Sequence, residues 1–451
     1  MSKYLPSYED IHPWESYSAN IETELRQCTE EGLDVDKYKG LFNEIAAMPF
    51  GEYKERMSDV LFDMICNMPI KADYPYVEPN ELEEIKAERD GFTLENCTVN
   101  KDTIEDKIKG AWFGRVAGCL LGKPVECIKY DELVYVLKAT NNYPMSRYIL
   151  NSDLTDEICN SVKFRLRNGC YIDLINGMPA DDDTNYVVMA QVIVESCSRN
   201  FTSRQVANAW MSLQHKDAYC TAERIAYKNY LLGYLPPDSG RYKNPYREWI
   251  GAQIRGDYFG YINPGNPEMA AEMAYRDASF SHVKNGIYGE MFASAMIASA
   301  AVCNDVKAVI LSGLSQIPKS SRLYDSVKKI IGMYENNSTY DDCISYIHSI
   351  WDDKNSHDWC HTISNAMIVA TALLYGEGDF GKSVCMAVQA AFDTDCNGAT
   401  VGSIVGMMNG YNALDPVWVD PIKDTLHTSI SGVGTVKVSD CAKKTMKHLA
   451  K

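Results

Sequence analysis

The chain has 451 residues, 46% of them apolar and 23% charged, which is enough to bury a large core and to form two or three domains. Its 61 acidic residues against 44 basic ones give a net charge of -17, which repels phosphate backbones and anionic membrane surfaces, so nucleic acid and membrane are not expected partners. The longest apolar stretches, such as 291–302, are shorter than the roughly 20 residues a bilayer requires, residues 1–6 hold no signal-peptide apolar region, and the fifteen cysteines include no CxxC pair, so reduced thiols in a cytoplasm are expected.

Residues 1–100 differ in texture from the rest. Charged amphipathic segments at 21–32 and 53–66 are separated by turns, and Pro69, Pro75 and Pro79 interrupt the pattern before a short charged helix over 81–90. We read a helical N-terminal extension (1–100) followed by a catalytic domain (101–451). In that domain Gly110, Gly114, Gly118 and Gly122 recur every four residues and form one flat stripe on a helix. Glycine costs about 1 kcal/mol relative to alanine at a helical position, so the spacing implies close approach of another backbone. Lys123, Pro124 and Val125 then lead to Glu126.

Residues 146–150 are one of the two most strand-like pieces, although short enough to be a turn. Asp181, Asp182, Asp183 and Thr184 follow, opening an apolar helix. One or two such residues suffice to cap a helix; packed carboxylates repel unless cations or shared protons neutralise them, and a hard divalent metal is the simplest neutraliser. The segment 244–261 is dense in aromatic, charged and turn residues, suiting either a sugar and base pocket or packed core. Ala-rich helical periodicity occupies 268–274, 288–302, 366–374 and 384–391, and 306–314 is the second strand-like piece. His357 and His361 are spaced i and i+4 but lack an evident third ligand and are left unassigned. Asp393, Thr394 and Asp395 form a second acidic element about 210 residues after the first, again opening a helix with glycines every fourth residue, at 398, 402, 406 and 410. Alternate Asp residues can turn two carboxylates to one cation; taken alone, each cluster could also be no more than a cap or turn. The coarse reading is all-α.

The glycine helix running into GxPxE (residues 110–126), the DDT element (182–184), Ser281 and His282 with Gly286 and Gly289, and the DTD element (393–395) together resemble the ADP-ribosylglycohydrolase family, over about residues 105–445 and in the family's order. The resemblance implies a compact all-α domain with a two-magnesium centre that hydrolyses the glycosidic bond at ribose C1 of an ADP-ribosyl group. It places metal ligands on Asp181, Asp182, Asp183, Asp393, Asp395 and Cys396, and catalytic carboxylates on Glu126, Asp182, Asp183 and Asp395. Substrate contacts fall on Asp257, His282, Asn285 and Gly286. Two positions depart from the family pattern: Asp181 stands where threonine is usual, and Cys396 where a second threonine is usual. A thiol is a poor partner for magnesium, so one ion could lose a ligand or the site could favour manganese.

The chemistry has its own logic. Breaking a ribosyl C1 bond passes through an oxocarbenium-like state and requires an activated water and a proton for the leaving atom, roles that clustered Asp residues and Glu126 can supply. Two other readings stay open: a hydrolase of small nucleoside-like N-ribosides, and a catalytically silent, crystallin-like binding protein. No feature of the sequence sets an oligomeric state.

Overall fold

The computed structural model describes residues 4, 6–8, 10–95 and 98–449. Glycine spacing determines the centre of the molecule. The helices Ile104–Gly122 and Thr394–Asn409 run antiparallel with their glycine stripes face to face, Gly110 against Gly406, Gly114 against Gly402 and Gly118 against Gly398, while Gly122 meets Thr394. A β-carbon added at any of the six paired glycines would overlap the facing carbonyl group, so the helices touch backbone to backbone. These helices and Asn285–Ala300 are buried on nearly every side, which explains why they are apolar all round rather than amphipathic.

The all-α expectation holds. Among the described residues, the named strands are a two-residue antiparallel pair, Leu426–His427 with Thr435–Val436. The strand-like piece 306–314 is the helix Val306–Leu314, started by the Asp305 side chain, which accepts from Ala308 N at 3.1 Å. Residues 146–150 are irregular, and Tyr148 donates from its hydroxyl to the carbonyls of Trp418 (2.9 Å) and Ala117 (3.2 Å). In both places local tertiary partners outweigh β-branched composition. Each Ala-rich segment falls on a helix: Pro267–Ala278, Asn285–Ala300, Thr362–Gly376 and Phe380–Gln389.

The extension contains the helices Ile21–Glu30, Lys39–Ala47 and Glu52–Ile65, which close around a small core of their own, including Ile21, Phe42, Ile45, Leu61 and Ile65. Ile85, on the helix Leu82–Ala87, already packs in the main core, so the packing changes allegiance between Ile65 and Ile85, earlier than texture indicates. Buried charge joins the extension to the rest. Arg247 donates to Glu24 (3.0 Å) and Glu31 (2.5 Å), Lys284 pairs with Glu31 (2.7 Å), and Gln27 donates to Glu248 (2.6 Å). Such pairs are a commitment, because removing one partner leaves a buried charge and costs about 3–5 kcal/mol.

Glu30 also reaches His357 (3.0 Å) and His361 (3.6 Å), supplying the third group that the sequence did not reveal. It does not make them a cation site. The Nδ1 atoms already accept from Trp249 Nε1 (3.1 Å) and Ile363 N (3.1 Å), so each neutral ring carries its proton on Nε2, facing the carboxylate. Glu30 thus ties the extension to the domain through its hydrogen bond with His357, while His361 Nε2 has no hydrogen-bond partner among the described residues.

Candidate active site

The glycine pairing places the start of Thr394–Asn409 at the end of Ile104–Gly122, where Thr394 Oγ1 donates to Gly122 O at 3.0 Å. The 3-10 turn Lys123–Val125 follows and carries Glu126 to the same point. Asp181 is the N-cap of Asp182–Cys197, its Oδ1 accepting from Asp183 N at 2.9 Å, so the capping role is real and one residue fills it. Arg115, buried in the first glycine helix, anchors the cluster by donating to Asp183 Oδ1 (2.9 Å), Asp183 O and Asp257 Oδ2 (2.6 Å). Lys123 pairs with Asp181.

The second cluster is presented by a strained turn. Ala391 and Phe392 both have positive φ, +61° and +57°, which is unfavourable for side-chain-bearing residues. Trp359 Nε1 donates to Phe392 O (2.8 Å), and Asn365 Oδ1 accepts from Asp393 N (3.2 Å) and Asn397 Nδ2 (2.8 Å), holding the turn in place.

Ligand-capable atoms of Cys119, Asp181, Asp183 and Asp395 lie within 4.8 Å of one another, as do those of Asp393, Asp395 and Cys396. Asp395 belongs to both groups. Asp183 Oδ2 and Asp395 Oδ1 are buried and have no hydrogen-bond partner among the described residues. Burial and neighbouring charges push the carboxyls upward: Asp182 to about 7 through burial and Asp181, and Asp395 to about 6 through burial and Asp181. Burial also raises Asp183 and Asp393 well above the usual range, and Glu126 is raised by Asp395 and then by burial. Six carboxylates converge against Lys123 and Arg115, with orphaned oxygens among them; this donor set suits divalent cations.

A cavity of about 490 Å³ opens over the cluster. Glu126, Asp182, Asp393 and Cys396 line it, while Asp181, Asp183 and Asp395 lie outside its lining. Three features escaped the sequence. Glu223, almost wholly buried, lines the cavity and pairs with Arg255 at 2.9 Å; a lone Glu without acidic neighbours gave no signal. Cys127, Cys220 and Cys360 join Cys396 on the wall, and scattered thiols carry no spacing to read. Trp14 comes from the extension.

The aromatic segment 244–261 divides: Tyr246, Trp249 and Ile254 line the cavity, whereas Tyr258, Phe259 and Tyr261 are core. The four expected substrate contacts lie outside the cavity lining. Asp257 holds Arg115; His282 Nδ1 meets Ser281 Oγ at 2.8 Å; Asn285 is occupied by Glu78, Glu248 and Leu323 N; and Gly286 gives room for the Arg247 carbonyl. All four are buried, and Asp257 Oδ1 and His282 Nε2 have no hydrogen-bond partner among the described residues.

The ADP-ribosylglycohydrolase family model matches residues 100–445. A solved structure described as an ADP-ribosylglycohydrolase-related protein complex aligns over 77% of this chain and 98% of its own, at 14% identity and a TM-score of 0.49. No curated protein matches.

Proposed function

From the premise that the chain belongs to the ADP-ribosylglycohydrolase family, we propose that it is a metal-dependent hydrolase of the glycosidic bond at C1 of an ADP-ribosyl or closely related N-ribosyl group. The observation that carries the reading is the meeting of the two Asp clusters, 212 residues apart in sequence, around buried carboxylate oxygens without protein partners. Asp181, Asp183 and Asp395 would hold one ion, and Asp393 and Asp395, with Cys396 beside them, a second. Magnesium suits the carboxylates, and the Cys396 thiol favours manganese at the second position. Bound there, a divalent ion supplies Lewis acidity and a fixed point for hydroxyl groups of the sugar.

The protein's own groups complete the reaction. The oxygen of water bonds to C1 while the bond from C1 to the leaving atom breaks and its electron pair departs with that atom. Asp182, which faces the cavity, takes the proton of the attacking water. Glu126, on the same wall of the cavity, gives a proton to the leaving atom. Glu223 lies on the same wall and is held by Arg255, suited to orient the sugar.

Calorimetric titration of ADP-ribose into chelator-treated protein, with and without magnesium, tests the reading, with adenosine and ribose as comparison ligands. Binding of a ribosyl ligand that requires magnesium, and that Asp395→Asn abolishes, is the expected result. Binding indifferent to both the ion and Asp395 would refute it.

A further inference from the structure

The wall that the extension contributes bears on which riboside enters. Pro13, Trp14, Asn20 and Thr23 line the cavity opposite the carboxylates. The segment is pinned. Glu15 accepts from Lys216 (2.7 Å) and Arg224 (2.6 Å), its carbonyl accepts from Lys228 (2.7 Å), and Asn20 Nδ2 donates to the carbonyls of Pro13 (2.8 Å) and Ser16 (2.9 Å). Trp14 packs against the main core although most of the extension closes around its own. The wall is therefore a fixed part of the site.

Trp249 and Trp359 line the same cavity, and their indole N–H groups are spent on His357 Nδ1 and Phe392 O; Trp249 is buried against Tyr246, so the ring surface on offer is that of Trp14 and Trp359. Tyr246 lines it too; it is 2% exposed, and its hydroxyl has no hydrogen-bond partner among the described residues. Cations are scarce. No arginine lines the cavity among the described residues, and its two lysines are engaged, Lys129 with Asp353 O (2.6 Å) and Lys354 with Asp131 (3.3 Å). Apart from divalent ions, diphosphates are normally gripped by arginine, free lysine or backbone N–H groups, so a diphosphate here would compete with the ribose for the ions over the carboxylates.

We propose that the extension makes this enzyme selective for small free ribosides with a flat aromatic leaving group, the ring held by Trp14 and Trp359 and the ribose over the carboxylates. The proposal rests on the C1-hydrolase reading and narrows its substrate. Trp14 is a specificity residue.

The test uses the full chain with magnesium or manganese and two probes: the two anomers of 4-nitrophenyl riboside, and an arginine peptide carrying ADP-ribose. The aryl riboside is expected to exceed the peptide in kcat/KM by about 100-fold, as the loss of two stacking partners implies. Trp14→Ala should raise KM for the aryl riboside roughly tenfold, the value of one lost stacking partner, with kcat nearly unchanged, and Trp14→Phe should restore it. Should Trp14→Ala unfold, the comparison of Trp14→Phe with the still smaller ring of Trp14→His gives the same readout. Equal or better turnover of the peptide, or a KM indifferent to residue 14, would overturn the selectivity while leaving the hydrolase reading intact. Failure of both probes with either metal would remove the hydrolase reading and the selectivity with it.

Discussion

Asp395 is the residue on which the most depends, because it is shared by both groups of candidate ligands. Asp395→Asn keeps the shape and removes the charge, so ion binding should fall at both positions, whereas Asp393→Asn should affect one; titration of manganese followed by electron paramagnetic resonance would count the ions. Asp182→Asn leaves the ligand groups intact and should lower kcat by about 10²–10⁴, the range for a positioned proton acceptor, with the unfolding midpoint unchanged. A pH effect belongs to His361, buried, stacked on Trp351 and pushed down to about 3 by burial against the opposing pull of Glu30. The folded chain keeps this ring neutral while the unfolded chain protonates it near pH 6.5. Its contribution to stability is therefore complete above about 6.5 and is lost as pH falls toward 3, with a slope approaching about 1.4 kcal/mol per pH unit. Denaturant unfolding at pH 7, 6 and 5 should show that slope flattened in His361→Gln; parallel dependences in the two proteins would contradict it.

At the scale of elements, the two glycine helices set the site. Gly118→Ala places a methyl group where the Gly398 carbonyl lies, so the helices must separate, with a loss of about 1–3 kcal/mol or more and a matching loss of metal affinity as the clusters part. Chemical denaturation and metal titration of the same variant check both halves. Glycine spacing was legible in the sequence because a residue that weakens helices, repeated at every fourth position, points to a second backbone in contact, and the acidic runs were legible because capping needs fewer residues. The turn at Ala391 and Phe392 was not. Neither residue advertises a positive φ, and what holds the turn comes from Trp359 and Asn365, about 30 positions away. Asp257, Asn285 and Gly286, singled out for their pattern, lie outside the cavity lining against Arg115, Glu248 and the Arg247 carbonyl, and His282 lies beside Ser281.

For the whole molecule, an ion held among the dense buried carboxylates would make the loaded chain more stable than the ion-free one. At one hundred times its dissociation constant a single ion adds about 2.7 kcal/mol, so the thermal midpoint should rise with magnesium or manganese and fall back with chelator; a midpoint insensitive to both would argue against the assigned ligands. The helical class and the existence of an extension could be read from periodicity and texture. What the extension does could not, because its link to the domain is a set of long-range pairs, Glu24 and Glu31 with Arg247 and Glu30 with His357, and single charged residues in a helix read only as solvated faces.

The backbone pairing of Gly110, Gly114 and Gly118 with Gly406, Gly402 and Gly398 has one more implication. The separation of the second acidic cluster from the turn that carries Glu126 is gauged in peptide planes, and the first cluster is tied to that gauge by the Arg115 and Lys123 side chains. Exposed loops between the clusters can change length without altering the jaws of this caliper, whereas the buried helix Asn285–Ala300 and the Trp359 and Asn365 side chains that brace the second jaw cannot.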